Sequence, residues 1–564
     1  MKILSAIGKL FAKVTTPSLQ GRVRGGSSSS LSLLLLSLFI STTLLSSCSD
    51  YLDVLPDNRA ELDSDKKITE LLVSAYPSSN YYLLAEMSSD NTDENADQAS
   101  YTAYTKLQEQ AAKWQDITDK YQDTPYALWM HCYKAIAAAN NVLIAIDELG
   151  RPKRLDPQRG EALICRAYSH FILANIFCMA YSPKTCDKEL GITFMTKAES
   201  EVSPHYERGT LAEIYKHIAD DIEEGLPLIS DELYSVPKYH FNTKAAYAFA
   251  ARFYLYYTQE DGSNLDKCID YATRVLTSNP ASMLRDWKTV GAIQINNAVR
   301  STAYIDANDK ANLLIISTAS IWEYVYGPTL VGLRYTHNDK IAETESVKCL
   351  GFWGNSSSFY FNIPTYNNMP KVVMQKMSQF WQITDVVNQT GYPYIMAPAF
   401  TTDLVLMDRA EAYALKGQYA EARQDLTTWM HAFTVTRGNV TAELLEKRYG
   451  TLTNSGGITG TEGQGLAYYE PTVPTAKKRL NPDFTVLPGE QENLIHAILH
   501  ARRVLCLHEG QRWFDIKRYG ITIYRRSIKD GNITVLDTMT KEDPRRALQL
   551  PYSVINAGIT PNPR

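Results

Sequence analysis

The stretch from Leu494 to Gly520, LIHAILHARRVLCLHEGQRWFDIKRYG, restricts the fold of this chain more than any other. Leu494, Ile498 and Leu505 recur at helical spacing, with Ile495, Leu499 and Cys506 beside them, so the first half predicts an amphipathic helix. His496, His500 and Arg503 fall on its other face. Gly510 then offers the left-handed backbone that residues with a Cβ resist. Trp513 and Phe514 follow, framed by Arg512, Asp515, Lys517 and Arg518.

Three chemistries compete for this stretch. His508-Glu509 begins like a zinc-binding H-E-x-x-H, but that motif needs a second His four residues on, and position 512 is Arg. Glu509 and Asp515 suggest acid–base catalysis. Each has an Arg close by in sequence, which would lower its pKa rather than hold a proton near neutrality. The third reading is architectural: Trp513 and Phe514 plug a core while an Arg–carboxylate pair fixes the turn. The architectural reading fits best and makes Arg512, Trp513 and Asp515 a structural signature.

The rest of the chain supplies helices to pack against this one. Candidates are Lys66–Tyr76, Tyr126–Leu149, Pro157–Ala180, Leu211–Leu226, Thr243–Thr258 and Leu265–Ser278. Small residues such as Ala137, Ala138, Ala139, Ala167, Ala174, Ala246, Ala248, Ala250 and Ala251 would let helices approach closely. Leu404–Trp429 reads as a helix, a Lys416-Gly417-Gln418-Tyr419 turn and a second helix opened by Ala420 and Ala422. That is the form of a tetratricopeptide repeat, a helix pair that needs neighbours to bury its face.

Residues 280–400 break the helical pattern. Ile321-Trp322-Glu323-Tyr324-Val325-Tyr326 reads as a strand with aromatics at alternate positions. Phe352-Trp353-Gly354-Asn355, Phe359-Tyr360-Phe361-Asn362 and Tyr366-Asn367-Asn368 follow, then Trp381, Tyr392 and Tyr394. Aromatics interleaved with Asn, Ser and Gly suit sugar binding, where a ring stacks on a pyranose and amides bond its hydroxyls. They suit peptide grooves and plain loop packing equally well. Tyr81, Trp353, Tyr360 and Tyr366 are the candidate ligand contacts, chosen for their placement on loops. Asp90, Asp93, Glu94 and Asp97 lack the D-x-[DN]-x-[DN]-G order of a calcium loop and read as a solvated acidic segment. The glycines of SGGITGTEGQG lack a following Gly-Lys-Ser/Thr, so this is a flexible insertion rather than a phosphate loop.

Tyrosine is frequent, at 36 residues against 16 Phe and 8 Trp, which raises the odds of a wet aromatic surface without placing it. The first 47 residues hold Lys2, Lys9, Lys13, Arg22 and Arg24 and no acid. Without those five, 52 basic residues face 62 acidic ones, which argues against a nucleic-acid partner. Leu31 to Leu45 is an apolar run of about fifteen residues, short of the roughly twenty a membrane span needs and right for a signal sequence. Leu45-Ser46-Ser47-Cys48 then forms a bacterial lipobox, which makes Cys48 the lipidation site and the protein anchored rather than spanning. The seven remaining cysteines show no C-x-x-C pair and no even framework, so buried free thiols are expected; a Cys178–Cys186 bridge stays open as the alternative.

Several of these segments together resemble the SusD/RagB family of Bacteroidetes outer-membrane lipoproteins. Arg502-Arg503, Glu509-Gly510, Arg512-Trp513-Phe514-Asp515, Arg518 and Gly520 match its C-terminal signature, while Val504, Leu507 and Tyr519 depart from it. Cys48-Ser49-Asp50-Tyr51-Leu52-Asp53 is similar to its mature start, and Leu548-Gln549-Leu550-Pro551 with Asn562-Pro563-Arg564 to its ending. The resemblance implies a mainly α fold: an irregular tetratricopeptide-like helix-pair scaffold with a loop-rich lobe containing short strands. The boundaries expected are a signal peptide over 1–47 and one domain over 48–564. Its scaffold would lie mainly in 126–278, 401–430 and 490–520, and its ligand lobe in 280–400 and 431–490. It further implies a binding protein, not an enzyme, without cofactor or metal. Such a protein captures oligosaccharide, or peptide as in the RagB branch, and passes it to a SusC-like TonB-dependent transporter. A lipid-anchored glycosidase and a tetratricopeptide adaptor without small ligands are the rival classes.

Overall fold

The computed structural model describes residues 62, 64–98, 100–197, 206–294, 297–451 and 465–564. The signal segment, Cys48 and the mature start lie outside them, as does most of the glycine-rich run.

Helix starts are set by side-chain caps. Thr124 accepts a bond from the Ala127 N–H (3.2 Å), and Pro125 occupies the first turn, where its missing N–H is harmless. Thr210 and Glu213 satisfy each other's backbone in a reciprocal box, and Asn242 caps Ala245. The helices used below are α1 (Tyr82–Ser88), α2 (Pro125–Glu148), α3 (Asp156–Phe177), α4 (Leu211–Gly225), α5 (Thr243–Tyr256), α6 (Ser263–Leu276), α7 (Trp322–Tyr326), α8 (Thr402–Leu415), α9 (Tyr419–Phe433), α10 (Glu490–Leu505) and α11 (Gln511–Arg518). From α2 to α6 their bounds lie within three residues of those read from periodicity.

These helices pack as pairs: α2 on α3, α3 on α4, α5 on α6, and α8 on both α6 and α9, with α10 laid across α8. Alanine lets them approach. Ala138, Ala139, Ala167, Ala174, Ala246, Ala248, Ala250 and Ala251 are buried, while Ala137 faces outward. The α8–α9 pair turns at Gly417, whose φ of +76° a β-carbon would strain. The fold is mainly α, a helix-pair scaffold with two small sheets. In the first sheet, β1 (Asp93–Asn95), β3 (Tyr335–Thr336), β6 (Ile523–Lys529) and β7 (Asn532–Met539) run in the order β3-β1-β6-β7. In the second, β2 (Asn312–Ala319), β4 (Phe380–Asp385) and β5 (Thr390–Thr401) run β2-β5-β4, all antiparallel.

Four expectations are overturned. Trp322–Tyr326 is one turn of helix, not a strand. The buried Asp123 carboxylate accepts bonds from Ser320 Oγ and the Ile321 N–H, both 2.7 Å, and organises that helix start. Alternating aromatics over so few residues also fit one turn of helix. Asp90, Asp93 and Glu94 are not solvated but buried, each held by an arginine: Arg512, Arg526 and Arg334. The polar face of α10 is not exposed either. His500 bonds the Tyr449 hydroxyl and the Ser346 carbonyl, and Arg503 donates to Asn91 Oδ1 (2.7 Å) and the Asp90 carbonyl (2.9 Å). Finally, Asp515 pairs with Arg502 (2.6 Å) rather than with its neighbour Arg512. Burial pushes its carboxyl above the ordinary value although Arg502 and Arg512 pull it down. The seven cysteines beyond residue 61, Cys178 and Cys186 among them, are free thiols.

Candidate functional site

The signature stretch is fully enclosed. Arg512 grips Asp90 with two parallel bonds of 2.7 and 2.8 Å, a fork that fixes α11 against the segment after α1. Trp513 is completely buried, and Phe514 packs edge-on against Tyr81, ring centroids 4.9 Å apart. Glu86 accepts the His508 and Gly510 N–H groups, tying α1 to the turn before α11. These carboxylates serve architecture.

Of the four candidate ligand contacts, the structure turns two inward. Tyr81 is partly buried; it walls an interior void of about 10 Å³ with Tyr168, Arg252 and Phe400. That volume holds about one water and no sugar. Trp353 is 1% exposed and sits among Phe352, Phe359, Trp429 and His500, with centroids 4.6 to 5.8 Å away. Its expected place on a ligand loop is corrected to the core. The loop reverses at Gly351 and Gly354, and the indole folds back over Gly351, where a β-carbon would lie 2.5 Å from the ring.

The other two reach the surface in different places. Tyr360 is partly exposed; its hydroxyl accepts from Arg437 (2.7 Å), whose guanidinium also caps the carbonyls at the end of α9. Tyr366 opens a tight turn in which Asn367 and Asn368 take φ of +43° and +58°. Two successive left-handed residues make the mirror-image turn that Asn tolerates.

Tyr366 is linked through hydrogen bonds to the segment that leads to the β4–β5 hairpin. The Tyr366 N–H donates to the Lys371 carbonyl, the Lys371 ammonium to the Thr329 and Val331 carbonyls, and the Thr329 hydroxyl to the Tyr324 carbonyl. Glu323, next to Tyr324, accepts the Gln379 N–H at the foot of the β4–β5 hairpin. Leu330, at 55% exposure, and Tyr324, at 48%, stand along this chain of bonds; on the hairpin Phe380, at 37%, and Tyr392, at 41%, share one face, and Trp381, at 55%, lies on the other. Phe380 and Tyr394 pack across the two strands, centroids 5.4 Å apart. Gln382, opposite Tyr392, is exposed, as are Asn388 at the hairpin tip and Asn367 and Asn368 in the Tyr366 turn. The hairpin tip is locked: Asp385 accepts the Val387 and Asn388 N–H groups and the Asn388 amide, which hold its carboxyl below the ordinary range. An exposed ring on a rigid hairpin, with side-chain amides on the same element, is what stacking on a sugar ring requires. Trp381 and Tyr392 are visible in the sequence but unmarked there. The signal was the Asp385–Gly391 turn between two alternating runs, which predicts a hairpin projecting from the surface.

Among the described residues no cluster of His, Cys, Asp and Glu could hold a metal ion, and no helix is long and apolar enough to cross a membrane.

Residues 50–255 match the SusD-like family described as "starch-binding associating with outer membrane". No curated protein matches the sequence. Among solved structures, a SusD superfamily protein from Bacteroides thetaiotaomicron aligns with 17% identity and a TM-score of 0.58, covering 88% of this chain and 98% of its own. A SusD superfamily protein from Bacteroides vulgatus aligns with 19% identity and a TM-score of 0.55, covering 88% and 98%. A SusD-like carbohydrate binding protein, also from Bacteroides vulgatus, aligns with 14% identity and a TM-score of 0.52, covering 87% and 96%. Over residues 50–255 the chain is similar in sequence to the SusD-like family, and it shares the fold of these solved structures.

Proposed function

We propose that this is a surface glycan-binding lipoprotein. It is anchored through Cys48 and captures oligosaccharides for a SusC-like TonB-dependent transporter, against which its helical scaffold docks. The work is binding and delivery, without bond cleavage. The observation that carries this reading is the locked β4–β5 hairpin, which exposes Trp381 on one face and Phe380, Tyr392 and the Gln382 amide on the other, in a chain whose residues 50–255 match a family described as starch-binding. The signal peptide, the anchor and the transporter are supported by the lipobox and the family. A glycosidase would need two carboxylates flanking a cleft that admits the sugar. Asp90, Asp93, Asp408, Glu411 and Asp515 are instead buried against arginines.

The test uses residues 49–564, unlipidated, run on native gels cast with a panel of polysaccharides. Retardation in one glycan, lost in Trp381→Ala or in Tyr392→Ala according to which face of the hairpin stacks, is expected. Affinity is modest, because a few stacked rings must offset the lost freedom of the ligand. Retardation that survives both substitutions removes the hairpin from the site. Hydrolysis of the glycan, abolished by an Asp or Glu substitution, overturns the reading as a whole.

A further inference from the structure

The hairpin carries a second feature besides its rings: strand β4 is an open sheet edge. It lies outermost in the order β2-β5-β4, and its residues from Phe380 to Thr384 are all exposed. The direction of its backbone groups follows from β5. Pro393 accepts the Ser320 N–H on the β2 side, so its backbone points away from β4. Trp381 stands opposite Pro393, and Ile383 opposite Gly391 two residues on. In an antiparallel ladder such facing residues form the non-bonded pairs. Phe380 and Gln382 therefore bond to β5, while the N–H and C=O of Trp381 and Ile383 point outward, the Ile383 C=O accepting from the Gln382 side-chain amide (3.2 Å).

Edge strands are normally blunted by Lys, by Pro or by a covering element. From Phe380 to Thr384 there is no charge and no Pro. The one ionised group between Gln379 and Tyr394 is Asp385, and both its oxygens are taken up in the turn. The outward backbone groups alternate with side chains that leave Trp381 and Ile383 on one face, 55% and 42% exposed.

We infer that the outer edge of β4 docks an extended, uncharged polypeptide segment of a partner protein by strand addition. Backbone bonds would form at Trp381 and Ile383, and the partner's alternate apolar side chains would lie on the Trp381 and Ile383 side chains. Neutrality of the edge selects the partner's chemistry: a charged strand would be desolvated there with nothing to pair with. Its backbone bonds are separate from carbohydrate capture, which uses ring faces; the two occupants would share only the Trp381 ring.

The test is hydrogen–deuterium exchange of residues 49–564 with a capped, alternating Thr/Val hexapeptide, and with the same peptide N-methylated on alternate amides. Protection of the Trp381 and Ile383 amides by the first, weaker by about 10-fold or more with the second, is expected, since each buried group left unpaired is penalised. Ile383→Pro removes one outward N–H without touching the β4–β5 ladder. It should weaken peptide binding by about 10-fold while glycan retardation and the melt stay unchanged. No protection at millimolar peptide, equal protection by the methylated peptide, or protection by polysaccharide in place of peptide would each overturn the inference. Should Ile383→Pro lower the melt, the methylated peptide decides alone.

Discussion

The α10–α11 signature and the β4–β5 hairpin invert the usual rule of polar outside and apolar inside, in opposite senses. The signature buries Arg502, Arg503, Arg512, Arg518, His496 and His500 together with their partners. The hairpin exposes Trp381, Ile383, Val386, Val387 and Tyr392. Buried charges are tolerated only when paired, and such pairs hold elements in one arrangement more than they add stability. Exposed apolar groups on a locked turn serve no folding purpose and stand ready for a partner. Substitutions should therefore unfold the first region without a direct effect on binding, and disable the second without affecting folding.

The largest effect is expected in the signature. Arg502 donates to Asp515 and Glu411 at 2.6 and 2.5 Å, all fully buried. Arg502→Ala leaves both carboxylates without this partner and should destabilise by roughly 3–5 kcal/mol. Chemical denaturation checks it; an unchanged midpoint would mean the pair is dispensable. Trp353→Ala comes next and compares the two regions directly. As a core residue it should lose about 3–5 kcal/mol, with binding altered only through unfolding. A folded, stable Trp353→Ala protein that no longer binds glycan would return Trp353 to the ligand site.

Much of the scaffold was legible because its physics is local. Cap residues and alanine spacing set α2 to α6 within three residues of expectation. What stayed hidden depended on distant partners. Nothing near Asp90 in sequence announces Arg512, 422 residues away, so an acidic run looked solvated. Trp353 and Trp381 both lie in aromatic loop sequence; one folds back over Gly351 and the other projects on a hairpin. Burial is decided by tertiary contacts that a single sequence does not display. The resemblance therefore reached the fold, and the residues alone could not rank the aromatics.

Two buried lysines can also be set against each other, Lys371 before the hairpin and Lys517 in the signature. Lys371 donates to the Thr329 and Val331 carbonyls, and Lys517 to the Asn175 and Cys178 carbonyls in the scaffold. Burial brings each ammonium down to about 7. An unfolded lysine titrates near ~10.4, so between pH 7 and 9 the unfolded chain binds more protons, and stability rises with pH. Each lysine contributes up to about 1.4 kcal/mol per pH unit in that window. Lys371→Met and Lys517→Met should each flatten the rise of the denaturation midpoint, by similar amounts. A rise that survives both substitutions would assign it to other groups.

The smallest effect on stability, and the sharpest on function, belongs to Trp381. It is 55% exposed, on an edge strand, and opposite Pro393, so its truncation removes little packing. Trp381→Ala should move the denaturation midpoint by no more than about 0.5 kcal/mol. If the ring stacks on a sugar, the same change should weaken glycan binding by about 10-fold or more, equivalent to about 1.4 kcal/mol. Trp381→Phe keeps a smaller ring and should restore part of that loss, whereas Trp381→Leu, apolar but without a flat face, should not. Full rescue by Leu would show that the hairpin offers apolar area alone, and would turn the comparison toward a polypeptide occupant. A stability loss as large as that of Trp353→Ala would place Trp381 in the core and abolish the contrast between the two regions.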